Sequence, residues 1–201
     1  QSVVERRTTI PILSNVRLDA AKGSLSLNAT DMDLEIVESA PAEVGQGGET
    51  TAPAHTMYDI VRKLPDGAQV ELAFGGDGQL TLTSGRSRFQ LACLPVDDFP
   101  ALASGDFSHT FSLSATDLRS LIDRTRFAIS TEETRYYLNG IYLHGTDSDG
   151  VDVLRTVATD GHRLARVELP LPDGAAGMPG IIVPRKAVSE VRKLIEEAEG
   201  D

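Results

Sequence analysis

The side chains best suited to chemistry fall in one short segment, Thr159-Asp160-Gly161-His162-Arg163-Leu164, which places a carboxylate, an imidazole and a guanidinium within four residues. Asp160 and His162 could serve a metal-dependent phosphoesterase or form a hydrolytic dyad. The other parts of such a site do not follow. The histidines, His55, His109, His144 and His162, stand in separate segments without HExxH or His-x-His spacing. Cys93 is the one cysteine, which excludes an intrachain disulfide and a cysteine-rich zinc site and fits a reducing cytoplasm. No metal and no cofactor is expected. The carboxylate pairs Asp31/Asp33 and Asp97/Asp98 lack apolar surroundings that would raise a pKa and read as solvated. Gly75-Gly76-Asp77-Gly78 has no Gly-Lys-Ser/Thr ending and opens no helix, so it reads as a hairpin loop rather than a phosphate cradle.

The elements around the segment favour binding over bond breaking. Leu154 to Ala165 reads as strand, turn and strand, because Thr159-Asp160-Gly161 interrupts two runs of β-formers, with Asp capping the turn and Gly taking positive φ. Beyond the turn Ala165, Val167 and Leu169 alternate as a core face, and Arg166 and Glu168 point the other way. Leu164 is in register with the polar set. It is therefore displayed outward beside His162 and Arg163, an arrangement suited to gripping a peptide. The same residues also fit a decorated hairpin with no partner.

The words of this segment recur. Ala29-Thr30-Asp31-Met32-Asp33-Leu34 echoes Ala158 to Leu164, Ile12 to Leu18 lines up with Tyr137 to Leu143, and Pro53 before an amphipathic helix lines up with Pro184 before another. The offsets of 125, 129 and 131 residues keep one order and nearly one spacing, as a duplicated domain with small insertions would. A chain of 201 residues with 40% hydrophobic content accommodates two such units and has no membrane-spanning apolar run.

In chain order the first unit reads as a meander of strands. A surface connection over 41–51 leads to a helix opened by Pro53, with Met57, Ile60, Val61 and Leu64 on its apolar face. Strands over 69–74 and 79–84 and a last one carrying Arg86, Arg88, Phe89 and Leu91 follow. Leu94 to Gly105 is the expected linker. The second unit opens with an expected strand, Thr110 to Leu113, and a helix capped by Ser114 and Asp117, with Leu118, Leu121, Ile122 and Thr125 inward. A further helix runs from Arg185 to Ala198. Compared with each other, the first unit lacks an opening strand and helix and the second a closing hairpin and strand, so the sequence reads as an internal fragment. It opens without methionine, and no signal peptide precedes the first strand.

The net charge of −11 argues against a nucleic-acid partner until its distribution is considered. Nine of the 19 basic residues, Arg62, Lys63, Arg119, Arg124, Arg126, Arg185, Lys186, Arg192 and Lys193, fall in the three predicted helices or at their ends. Basic helix faces on an acidic body would suit a protein that tracks along DNA, and they are also common on helices with no partner.

Several motifs together resemble one family, the bacterial DNA polymerase III β subunit or β sliding clamp. They are Arg7-Thr-Thr-Ile-Pro11-Ile-Leu13, Ser84-Gly-Arg86-Ser-Arg88-Phe89, Leu94-Pro-x-x-Asp98-Phe99-Pro100, Arg135-Tyr136-Tyr137-Leu138-Asn139-Gly140, Arg155-Thr-Val-Ala-Thr-Asp160-Gly-His-Arg-Leu164 and Val183-Pro184-Arg185-Lys186. The resemblance implies an α+β DNA clamp fold, duplicated domains of antiparallel sheet with two inner helices each. Residues 1–105 would be the first clamp domain and 106–201 the second, with the family's third domain absent.

It also implies a cytoplasmic, non-catalytic processivity factor for DNA replication. As a homodimer it would encircle double-stranded DNA without regard to sequence and tether DNA polymerase III. Its partners would be the polymerase α subunit, the clamp loader, other polymerases and mismatch-repair proteins, bound through short motifs. By the same resemblance, Leu138, Thr159, Gly161, His162, Arg163 and Leu164 would form part of the peptide pocket. Arg7, Glu132, Arg135, Tyr136, Tyr137, Arg185 and Lys186 would lie near DNA, and Ile60, Arg86, Arg88 and Phe89 at the dimer interface. The chain departs from relatives that carry Gln at Glu132 and Arg at His55, and both changes remove favourable phosphate contacts.

Overall fold

The structure, a computed structural model, describes residues 3–4, 8–100, 107–132 and 134–199. It divides into two compact units, Gln1–Ser104 and Gly105–Asp201.

In the first unit a 3-10 turn, Pro11–Ser14, leads into strands β1 (Asn15–Ala21), β2 (Ser24–Thr30), β3 (Glu35–Pro41) and β4 (Gly48–Pro53), then helix α1 (Ala54–Val61). Strands β5 (Glu71–Phe74), β6 (Gln79–Ser84) and β7 (Ser87–Ala92) complete it. The strands form two antiparallel sheets, ordered β3-β2-β1-β4 and β5-β6-β7. Val16, Leu18 and Ala52 from one sheet, Met57 from α1, and Leu80, Leu82 and Leu91 from the other are buried together as one core. The alternation of apolar and polar residues along β1 and β6 is what makes this possible, since each strand offers one face inward.

In the second unit helix α2 (Ala115–Asp123) is followed by 3-10 turns at Arg126–Ala128 and Tyr136–Leu138. Strands β8 (Gly140–Ser148), β9 (Val151–Thr159), β10 (Leu164–Pro170) and β11 (Ile181–Pro184) and helix α3 (Arg185–Glu199) complete it. Ser114 caps α2 as its residue type predicts, its Oγ accepting the Asp117 N–H at 3.0 Å. The predicted inner residues Leu121, Ile122 and Thr125 are buried. The sheet order, β10-β9-β8-β11, repeats that of the first sheet element for element, each time with a 3-10 turn before it and a helix after it.

Several expectations are corrected. Thr110 to Leu113 joins no ladder among the described residues, in which the sheet of this unit has four strands with β10 and β11 at its edges. Val61 is exposed at the end of α1 rather than inward, because the helix stops there and its last turn faces solvent. Leu138 lies in a 3-10 turn, since the Leu138 and Asn139 N–H groups close back on Arg135 and Tyr136. Arg86 sits in the turn before β7. The strand pairings also shift the echo by one residue. Glu35 faces Thr30 as Leu164 faces Thr159, so Glu35, not Leu34, is the counterpart of Leu164.

Candidate functional site

The turn between β9 and β10 is built by its own polar side chains. The Thr159 hydroxyl accepts the Gly161 N–H at 3.1 Å and donates to the Arg163 carbonyl at 2.7 Å. Asp160 Oδ1 accepts the N–H groups of His162 and Arg163, both at 3.0 Å, and its Oδ2 meets Arg163 Nε at 2.9 Å. The two backbone N–H groups, followed by the Arg163 side chain, hold the Asp160 carboxyl down at about 2. Both oxygens are thus committed to the turn and its arginine. This corrects the Asp160/His162 reading: the pair is a turn cap and a neighbour. Among the described residues no three His, Cys, Asp or Glu side chains converge as a metal site.

This turn decides what the corner displays. Leu164 is 64% exposed at the first position of β10, while Ala165 beside it is buried and Val167 half-buried, so the strand alternation does present a bare leucine outward. Gly161 has φ +90, and an added Cβ would stand 3.3 Å from Arg135 Nη1. The Arg135 side chain thus reaches from the 135–138 turn to the 159–163 turn, and Leu138 is half-buried. Sequence reasoning missed Phe127. This ring, 54% exposed, lies under the Arg163 guanidinium with its centroid 5.5 Å from Cζ. Its place after α2, beyond the amphipathic run, gives no periodic signal that would single it out.

The residues expected near DNA are arranged less openly. Arg7 lies outside the described residues. Arg135 is paired to Glu132, Nε to Oε2 at 3.1 Å, so the carboxylate at 132 occupies the arginine. Tyr136 and Tyr137, both exposed, meet edge to face at 5.6 Å. The Arg185 N–H donates to the Asn139 carbonyl at 2.9 Å, which joins the start of α3 to the tyrosine turn; Lys186 follows half-buried. His55 turns its Nε2 to the Val4 carbonyl at 2.9 Å.

The basic helix faces are largely matched with acid. Arg62 pairs with Asp59 at 3.0 Å, Lys193 with Glu190 at 2.8 Å, and Arg119 and Arg126 flank Asp123 at 3.5 and 3.3 Å. Arg192 is only 6% exposed and ties α3 to α2 through Asp123 at 2.9 Å. That hydrogen bond, against the opposing effect of burial, leads the causes that lower the Asp123 carboxyl below its ordinary range. Arg192 is thus a structural strut rather than part of a basic surface.

Ile60 and Phe89 lie on one groove in the first unit, with Thr56, Asp59, Lys63, Leu64 and Ser87. Both pack on the core with part of their surface left open. Arg86 and Arg88 are exposed.

Comparison with known proteins assigns both halves. Residues 1–103 match the DNA polymerase III beta subunit, N-terminal domain, and residues 112–201 match its central domain. The beta sliding clamp of Caulobacter vibrioides is 57% identical over 199 residues, 98% of this chain and 54% of that protein. The crystal structure of the C. crescentus beta sliding clamp is 57% identical and superposes with a TM-score of 0.93, covering 98% of this chain and 52% of that one. The Bartonella birtlesii DnaN sliding clamp bound to griselimycin is 55% identical, with a TM-score of 0.91 over 97% of this chain and 52% of its own. The chain spans about half the length of these relatives.

Proposed function

The chain belongs to the DNA polymerase III beta subunit family, and on that premise we propose that it supplies the first two domains, residues 1–105 and 106–201, of a bacterial sliding clamp. The full-length subunit closes as a homodimer around duplex DNA in the cytoplasm, holds DNA polymerase III on its template and carries out no catalytic step itself. Its Leu164 corner takes short peptide segments of the polymerase α subunit, the clamp loader, other polymerases and repair proteins, and it is the corner to which griselimycin would bind. Leu138, Thr159, Gly161, His162, Arg163 and Leu164 line it. Ile60 and Phe89, flanked by Arg86 and Arg88, supply this chain's side of the subunit interface.

The observation that carries the reading is the duplicated unit, whose strand order recurs in both halves while each half matches a different domain of the same clamp family. Arg7, Arg135, Tyr136, Tyr137, Arg185 and Lys186 are the groups proposed to meet phosphate. Glu132 already holds Arg135, so the hold on DNA is light and comes chiefly from encirclement. The test is topological. Loaded onto DNA with its clamp loader, the full-length subunit should stay on nicked circles and run off the ends of linear duplex, without sequence preference and with weak direct binding that falls as salt rises. Equal retention on circles and linear DNA would overturn the reading.

A further inference from the structure

Phe127 is a large aromatic ring that the core does not need. Its neighbours Ala128 and Ile129, at 0% and 7% exposure, anchor the 3-10 turn, whereas the Phe127 ring stands more than half open. The Arg163 guanidinium lies over its face. Arg163 is held at four points: its N–H and its Nε by Asp160, its carbonyl by the Thr159 hydroxyl, and the face of its guanidinium by Phe127. An arginine next to an exposed leucine would otherwise lay its aliphatic stem across that leucine, since long basic side chains readily cover apolar surface. The Asp160 contact fixes one nitrogen. The ring meets the face of the guanidinium.

We propose that Phe127 is a positioning residue of the peptide-binding corner, holding Arg163 aside so that Leu164 is already uncovered when an apolar side chain of the ligand arrives. The inference rests on the peptide-binding reading of that corner. Its physical basis is preorganisation: an arginine ordered before binding need not be ordered during it. The attraction is that of a cation over an exposed aromatic face, which leucine, similar in apolar character but without a ring, cannot supply.

The experiment uses the full-length subunit and griselimycin as the probe, with Phe127→Leu, Phe127→Tyr, Leu164→Ala and Arg163→Ala variants. Phe127→Leu should weaken binding about two- to five-fold, the range of an exposed cation–π contact. Phe127→Tyr should restore it, and neither should move the thermal midpoint. In the Arg163→Ala background Phe127→Leu should have no further effect. The Arg163 Nε proton should lose its ring-current shift in Phe127→Leu and keep it in Phe127→Tyr. If Leu164→Ala weakens binding and Phe127→Leu does not, or if Phe127→Leu acts equally with and without Arg163, the positioning role is overturned while the corner stands. If Leu164→Ala binds griselimycin as the parent does, both fall.

Discussion

The turns at Thr30–Leu34 and Thr159–Arg163 share their backbone chemistry and differ in almost everything they display. In each a threonine hydroxyl accepts the N–H two residues on, Met32 in one and Gly161 in the other. In each an aspartate Oδ1 accepts two successive N–H groups, those of Asp33 and Leu34 or of His162 and Arg163. The residue after the aspartate has positive φ both times, 81 at Met32 and 90 at Gly161. The next strand then opens with Glu35 or with Leu164. Duplication thus preserved the Thr-Asp frame, which sets the bend, and left the outward positions free. An acidic, Met-bearing corner and an apolar, arginine-flanked one grew from the same scaffold.

The largest effect expected from exchanging features between the two copies lies two strands upstream of these turns, where β1 and β8 begin. Asn15 pairs with Pro53 in the first sheet and Gly140 with Pro184 in the second. Asn15 has room for its side chain and donates to the Thr51 hydroxyl at 2.9 Å. A Cβ on Gly140 would overlap the Val183 carbonyl oxygen. Gly140→Ala should therefore destabilise the second unit by about 3 kcal/mol, at the upper end of overpacking because rigid backbone is struck. Asn15→Ala should cost only about 1 kcal/mol, one buried hydrogen bond. Chemical denaturation of the parent and both variants would show the asymmetry, and equal losses would mean that the two strand starts are interchangeable.

Leu164 and Glu35 sharpen the contrast in function. Leu164→Ala should lower ligand affinity by about 1–3 kcal/mol, the range of an anchor residue, and change stability by less than about 0.5 kcal/mol. Val167→Ala, on the inward side of the same strand, should do the reverse and chiefly lower the thermal midpoint. Isothermal titration and melting of both variants separate the two faces. A Leu164→Ala subunit that melts early and binds normally would return the residue to the core.

A smaller effect is expected at the positive-φ position. Met32→Gly should stabilise the first unit by about 0.5–1 kcal/mol, as left-handed strain on a side chain is removed and part of the gain is returned to glycine's greater unfolded freedom. Gly161→Met should destabilise the second unit by at least as much, because its Cβ also crowds Arg135. Melting curves of the two single variants check both signs.

The mildest perturbation is pH. Asp160 titrates at about 2 in the folded chain, below the roughly 3.9 of an unperturbed aspartate. A depressed carboxyl contributes stability that is complete above the unfolded value and is lost as pH falls through the folded one. Amide exchange at His162 and Arg163, corrected for its intrinsic pH dependence, should stay slow from neutrality to about pH 4 and accelerate toward pH 2. Asp160→Asn should flatten that profile.

Local chemistry accounts for what could be read from the residues alone. Thr-Asp turns, the Ser114 cap, the amphipathic runs of α2 and the outward phase of Leu164 all depend on neighbours within a few positions, and the duplication shows as echoes at one nearly constant spacing. What only the tertiary structure decided involves partners far along the chain. Arg192 reads as one more basic helix residue until Asp123, 69 positions earlier, turns it into a buried strut. Thr110 to Leu113 alternates like a strand and finds no ladder among the described residues, because a strand exists only with a neighbour to pair with. Phe127 comes to lie under Arg163 only when the segment after α2 packs beside β9. Periodicity tells which way a side chain points, but the identity of the group it meets is set by the packing of distant segments.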